Sequence, residues 1–347
     1  MKQIRLGLVF KDFASWLLDT SSVGLNVAGY TTAQVLREHG VNVTVFPVRH
    51  NVDLVNAINR YNEANEHPLT HLVISAPWLS PFDLEILIQH FKDIQFVILS
   101  HSNVGFLQAD ACGVELLRAY QDLEDRYLNL RVGGNSRQFV KWLEAAYHKR
   151  AILLPNLYST KDAQLTKQWD SVSSLKVGAF GAVRPYKNFM TAAAAALVIH
   201  SITGVPVEFH MSAGGEGDGD RVSVAIEAML KDTGVTLVKH GWSYWYDFIK
   251  LVASMDLMIQ VSYTESFNLI TADGVLAGVP SVVSSAIRWA PSSWKADVDD
   301  AIDVARKGVL LLKMPPSNKG IKALTSSNEN GIVKWFEFLN IKENHDG

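Results

Sequence analysis

Two carboxylates and two cations sit where apolar runs give way to helical patterns. Glu265 follows the apolar run 257–261 and opens a helix-period segment, 266–277, that carries Asp273 eight residues further on. If that segment is helical from its start, a rise of about 1.5 Å per residue separates the two carboxylates by roughly 12 Å, too far for an acid/base pair on one bond. Such a spacing suits holding two ends of one extended ligand. Backbone N–H groups of Ser266, Phe267 and Asn268 at the helix start would lack intrahelical acceptors and favour an anion or polar oxygens. The plainer alternative is that Glu265 complements the helix dipole and Asp273 is solvated.

Arg184 and Lys187 fall in 177–188, after another apolar run and just before a helical pattern beginning at Asn188. Two cations and free helix-start amides there could face one diphosphate; a pair of solvated loop cations is the alternative. The glycine-rich stretch 211–220, which includes Gly214, lacks Gly-Lys-Ser/Thr and has no clean Gly-x-Gly-x-x-Gly, so a mobile turn competes with a ligand loop. Gly241 and Trp242 end a further strand-like run. Trp242 could stack on a ring, although nearby Trp245 and Tyr246 make aromatic packing the simpler account. His101 follows the apolar run 96–100 in Leu-Ser-His-Ser-Asn, a loop position that could face a cleft, while lone histidines are more often structural. Gly24 lies in the small-residue stretch 21–29, taken as a loop before the first helix.

The elements that must position these groups alternate. Strand-length runs at 4–10, 41–48, 71–76, 96–100, 128–132 and 151–154 are separated by amphipathic segments at 28–38, 53–63, 83–91, 114–127 and 137–148. Continuous Val/Ile/Leu-rich runs between helices predict a parallel, doubly wound sheet. The polar stretch 159–174 reads as a linker. The alternation then resumes, with strands at 175–180, 207–212, 236–240, 257–261 and 281–284 and helices at 188–202, 221–231, 245–255 and 266–277. Two Rossmann-like α/β domains in tandem follow, with the chemistry at the carboxyl ends of their strands. Beyond them, 298–306 reads as helix, 309–312 as a short strand, 315–330 as a loop and 331–341 as a final aromatic helix. The alanine run 192–196 reads as a tightly packed helix face.

Composition bounds the function. Among 347 residues, 32 Lys and Arg against 35 Asp and Glu give a net charge of −3, no polycation for nucleic acid or an anionic membrane. The single cysteine, Cys112, leaves no intrachain disulfide and no cysteine-based zinc site, and suits a reducing cytoplasm. The short apolar run at 6–10 is closed by Lys11 and Asp12 before it could form a signal-peptide core, and no stretch approaches the roughly 20 apolar residues of a membrane span. A cytoplasmic location is expected.

The stretch 262–285 resembles the Glu-x7-Glu signature of retaining glycosyltransferases of the GT-B fold, in particular the large family four. Glu265, Phe267, Ala277, Gly278, Pro280, Val282 and Val283 fit that pattern at its spacing. The second Glu is Asp273 here, and the glycines flanking Phe267 are Ser266 and Asn268. Lys187 fits the family's loop lysine, whereas the family's arginine position is Ala182, so Arg184 would substitute from two residues along. The resemblance covers about residues 20–285 and fades beyond.

It implies a first domain (1–160) on the acceptor side, a second (161–325) binding a nucleoside-diphosphate sugar, and a C-terminal segment (326–347) whose helix crosses back to the first. By the same resemblance Glu265 holds sugar hydroxyls, Asp273 the ribose, Lys187 and Arg184 the diphosphate, and His101 the reacting sugar or acceptor. Gly214 lies below the donor, Gly241 and Trp242 serve the nucleobase, and Gly24 approaches the diphosphate or acceptor. Neither a metal nor a separate cofactor is implied. The acceptor is expected to be a saccharide or other small molecule rather than a lipid, since the first domain shows no basic amphipathic helix. A GT-B epimerase and a non-catalytic sugar-nucleotide-binding protein are the other readings.

Overall fold

The computed structural model describes residues 3–12, 23–170, 174–213 and 218–341. Along the first part of the chain run β1 (Leu6–Lys11), α1 (Val23–Glu38), β2 (Val43–Val48), α2 (Asn51–Ala64), β3 (His71–Ser75), α3 (Pro81–His90), β4 (Gln95–Ser100), α4 (Val104–Leu107), α5 (Ala111–Arg126), β5 (Leu130–Gly134), α6 (Arg137–Tyr147) and β6 (Ile152–Leu153). The second part continues with β7 (Leu175–Ala179), α7 (Phe189–Thr203), β8 (Val207–Ser212), α8 (Asp218–Leu230), β9 (Val235–His240), α9 (Trp245–Ala253), β10 (Leu257–Gln260), α10 (Leu269–Leu276), β11 (Ser281–Val283), α11 (Ala301–Lys313) and α12 (Lys319–Leu339).

The strands form two parallel sheets, in the orders β2-β1-β3-β4-β5-β6 and β11-β10-β7-β8-β9. Helices on both faces explain why the strands read as unbroken apolar runs. In β4 the pleat sends Phe96 and Ile98 into one core and Val97 and Leu99 into the other. The second sheet reverses its order between β7 and β10, the place where open α/β sheets leave a crevice at their carboxyl ends. Ala192, Ala193, Ala195 and Ala196 of α7 are all buried, and small residues there let α11 approach. A Cβ on Gly308 of α11 would meet Leu257 Cδ2 at 2.7 Å.

Two compact units result: one comprises Met1–Ser159 and Ser327–Gly347, the other Thr160–Ser326. The division runs through α12, whose later turns place Ile332, Trp335 and Leu339 in the same core as Leu6, Leu8 and Val97.

Two expectations near the C-terminus are corrected. Residues 309–312 are not a strand but the last turns of α11, which Asp300 starts by accepting from the N–H groups of Ile302 (2.8 Å) and Asp303 (3.1 Å). Val304, Ala305, Gly308, Val309, Leu311 and Leu312 are all buried; a four-residue apolar run carries no period of its own, and the longer window shows the helix. The supposed loop 315–330 is helical from Lys319 onward. Its buried stripe, Leu324, Asn328, Ile332, Trp335 and Leu339, keeps helical spacing but passes through a polar residue. Asn328 is held inside by donating from Nδ2 to the Tyr158 carbonyl (2.8 Å) and accepting from the Tyr158 N–H (3.0 Å).

Candidate functional site

The loops that follow β7 and β10 flank the reversal of the second sheet and carry half of the predicted residues. After β7 the chain passes Gly181, whose φ of +118° favours glycine. The Gly181 N–H donates to Ser212 Oγ on neighbouring β8 (3.1 Å). A single 3-10 turn, Pro185–Lys187, then leads to Asn188 in the left-handed region, φ +58°, immediately before α7. Asn188 Nδ2 donates to the carbonyls of Val261 (3.2 Å) and Val298 (2.9 Å), and the Tyr263 N–H donates to the Tyr186 carbonyl (2.9 Å). These bonds tie the two loops into one unit.

At their junction lies a buried polar cluster. Lys187 Nζ donates to Glu265 Oε1 at 2.7 Å, the carboxylate side chain being 5% exposed. Asn268 Nδ2 donates to that same oxygen (2.9 Å) and to Gln260 Oε1 (3.2 Å), while Gln260 Nε2 donates to the Phe180 carbonyl (3.2 Å). Asn268 Oδ1 accepts from the N–H and Oγ1 of Thr271, at 2.8 and 2.9 Å, and so caps α10. Its φ of +66° is one that glycine and asparagine tolerate best, which accounts for asparagine where the resembled pattern has glycine. A narrow cavity of about 10 Å³ adjoins Lys187, Phe180 and Gln260. Arg184 Nη1 donates to the Tyr186 hydroxyl (2.8 Å).

The helix start lies later than the sequence suggests. Because α10 begins at Leu269 with Asn268 as its cap, Ser266 and Phe267 belong to the preceding loop, and their amides are not those of the first turn. The axial separation reckoned from Glu265 therefore does not apply, as only the residues from Leu269 onward rise at the helical spacing. Ser266 is half-buried; Phe267 is buried and stacks on Trp289, centroids 5.5 Å apart, and its carbonyl accepts from Trp289 Nε1 (2.6 Å).

Asp273, on α10, is only 2% exposed and accepts from Trp245 Nε1 at 3.0 Å. Trp245 opens α9, and Trp242 sits half-buried in the loop just before it. Gly241 is exposed, and a Cβ there would meet nothing within 4 Å. Gly214 lies outside the described residues.

In the first unit, His101 follows β4 as expected. Its Nδ1 lies 3.2 Å from Asn135 Nδ2, which can only donate, so Nε2 carries the proton in the neutral ring. That nitrogen is buried with no partner among the described residues. Burial lowers the His101 pKa to about 4. Gly24 is not in a loop; it is half-buried in the first turn of α1. The small residues of that stretch serve packing: a Cβ on Gly29 would meet the Phe10 ring at 2.8 Å.

Sequence reasoning missed Asn188, Gln260 and Trp245. Asn188 carried a readable signal, an asparagine between a loop and a helix, but its partners lie 73 and 110 residues away. Trp245 was read only as packing.

No family model and no curated protein matches the chain. Solved structures do resemble it. A UDP-forming α,α-trehalose-phosphate synthase from Burkholderia xenovorans superposes with a TM-score of 0.60 at 12% identity, over 98% of this chain and 99% of that one. Sucrose-phosphate synthase from Thermosynechococcus elongatus gives 0.62 at 14% identity, covering 96% of each chain. Anabaena HepE, solved in complex with UDP and glucose, gives 0.58 at 15% identity, over 95% and 99%. At such identities the likeness establishes the architecture: the chain has the mixed α/β GT-B fold of these glycosyltransferases.

Proposed function

We propose that the protein is a retaining glycosyltransferase that moves a sugar from a nucleoside diphosphate to the hydroxyl of a small, water-soluble acceptor. The observation that carries this reading is the buried Lys187–Glu265–Asn268 cluster at the reversal of the second sheet. It sets a cation and a carboxylate side by side where α/β folds hold ligands. HepE, one of the similar structures, has been solved with UDP-glucose, which supports a donor of this class.

In the reaction, the bond from the anomeric carbon to the diphosphate oxygen breaks and the bond to the acceptor oxygen forms on the same face. The acceptor's proton passes to the departing phosphate oxygen. Lys187 and Arg184 stabilise the charge gathering on that phosphate, a role worth several kcal/mol in a dry site. No metal ion is assigned a part. Glu265 accepts from sugar hydroxyls and orients Lys187. Asp273 accepts from the ribose in exchange for the Trp245 indole, and His101 donates from Nε2 to the sugar or acceptor. A protein acting on such substrates in solution belongs in the cytoplasm.

The test is incubation of the purified protein with UDP-, GDP- and ADP-glucose and a panel of sugar and sugar-phosphate acceptors, with the product's anomeric configuration read by proton NMR. Retained configuration, abolished in Lys187→Ala and Glu265→Ala, is expected. Inverted product rejects the retaining mechanism, and donor binding without turnover under every acceptor rejects the enzyme.

A further inference from the structure

Three side chains stand in a line on one face of β8 and β9. Glu208 and His210 lie two residues apart, and strand register sets Ser212 of β8 opposite His240, the last residue of β9. Glu208 Oε2 is 3.0 Å from His210 Nε2, and His210 Nδ1 is 2.8 Å from His240 Nε2. The two imidazole planes are nearly parallel, 13° apart with centroids at 5.1 Å.

The carboxylate fixes the proton positions along this line. An ionised carboxylate only accepts, so His210 Nε2 carries a hydrogen. Burial lowers the pKa of His210 against the opposing pull of Glu208, and burial lowers that of His240, so both rings are neutral near pH 7. A neutral ring has one N–H; His210 Nδ1 therefore accepts, His240 Nε2 donates, and His240 Nδ1 is left bare.

That lone pair sits at the carboxyl end of β9 and has no partner among the described residues. Phe180 packs edge-on against the ring at 5.9 Å. Next in the chain come Gly241, with open space where a side chain would be, and half-buried Trp242. Three residues beyond Trp242 stands Trp245, bonded to Asp273. A single acceptor of fixed direction, beside an aromatic ring and open space, suits a flat heterocycle that bears a ring N–H.

We propose that His240 selects the nucleobase of the donor: its Nδ1 accepts the ring N–H of uracil or guanine and disfavours adenine and cytosine, which present a lone pair at the corresponding nitrogen. Glu208 and His210 are positioning residues that keep that lone pair bare. The assignment rests on the donor-binding reading of the second unit.

Long-range proton–nitrogen spectra of the nitrogen-15-labelled protein should show His240 with hydrogen on Nε2. This tautomer should persist in Glu208→Gln, whose amide oxygen still accepts, and be lost in Glu208→Leu. In calorimetric titrations, UDP or GDP should bind about tenfold or more tightly than CDP, ADP and N3-methyl-UDP, the usual cost of an unmatched polar group. His240→Leu should erase that preference, and His240→Asn, which keeps an oxygen near the Nδ1 position, should preserve it. A hydrogen on Nδ1, equal affinities for all five nucleotides, or a preference unchanged in His240→Leu overturns the role of His240 and leaves the donor-binding reading standing. Failure of every nucleotide to bind overturns both.

Discussion

Lys187 and Glu265 lie 78 residues apart in sequence and meet through Nζ and Oε1 at 2.7 Å. Their bond couples the loops after β7 and β10 at the one place in the second sheet where strand order reverses. In the proposed donor site, the charge that meets the ligand and the structural brace are thus the same pair of atoms.

Removing one partner of a buried pair strands the other's charge. Lys187→Met is expected to cost roughly 3–5 kcal/mol of stability, and the double variant Lys187→Met/Glu265→Leu less than either single change. Urea unfolding of the four proteins checks this; additive losses would show that the pair is not coupled.

Asn268 combines a left-handed backbone with a cap, so substitutions separate the two contributions. Asn268→Gly keeps the conformation but loses the cap, at a few tenths of a kcal/mol, and the buried bonds to Glu265 and Gln260, at about 1 kcal/mol each. Asn268→Ala loses both and should fall lower by a further ~1 kcal/mol. Thermal unfolding should rank wild type above Gly above Ala.

Asp273 is engaged by Trp245, so a ribose diol held there as proposed would compete with an indole N–H. Asp273→Ala should weaken UDP binding about tenfold, the worth of one hydrogen bond to a charged group. Trp245→Phe removes the competitor and should bind UDP at least as tightly as wild type. Loss of affinity in Trp245→Phe would place the indole, not the carboxylate, against the ligand.

His101 and His71 are both pushed by burial to a pKa of about 4, below the ordinary 6.5. The unfolded chain then binds more protons between those values, so this contribution to stability is complete above pH 6.5 and is lost as pH falls toward 4. His101→Gln should flatten the stability profile in that window relative to its own value at pH 8. A parallel profile would show that His101 ionises normally.

If Lys187 and Arg184 neutralise the departing phosphate as proposed, chelation has nothing to remove. Turnover after exhaustive EDTA treatment should equal that in magnesium; loss on chelation with recovery on adding a divalent cation would reassign the charge stabilisation.

All eleven strands among the described residues fall within a few residues of the apolar runs that announce them, because strands covered on both faces carry an undiluted signal. The errors come where that signal is mixed. The Val-Leu-Leu-Leu run of α11 is too short to show its period, and α12 buries Asn328, so half of its apolar stripe looks like loop. At the site, residue types and spacing pointed to Glu265 and Lys187, but their direct bond is a long-range contact that no local pattern encodes. Asn268 read as a departure from a glycine pattern until its φ of +66° showed it meeting the same backbone demand. Trp245 and Asn188 act through distant partners, which spacing along the chain does not disclose.

The passage of α12 through the boundary between the units has a consequence for how the polypeptide is made. The β-strands of the N-terminal lobe leave the ribosome well before Ile332, Trp335 and Leu339, which complete the core around Leu6, Leu8 and Val97. Until then part of that apolar face lacks its cover, so this lobe waits for a segment made only after the whole of the second unit.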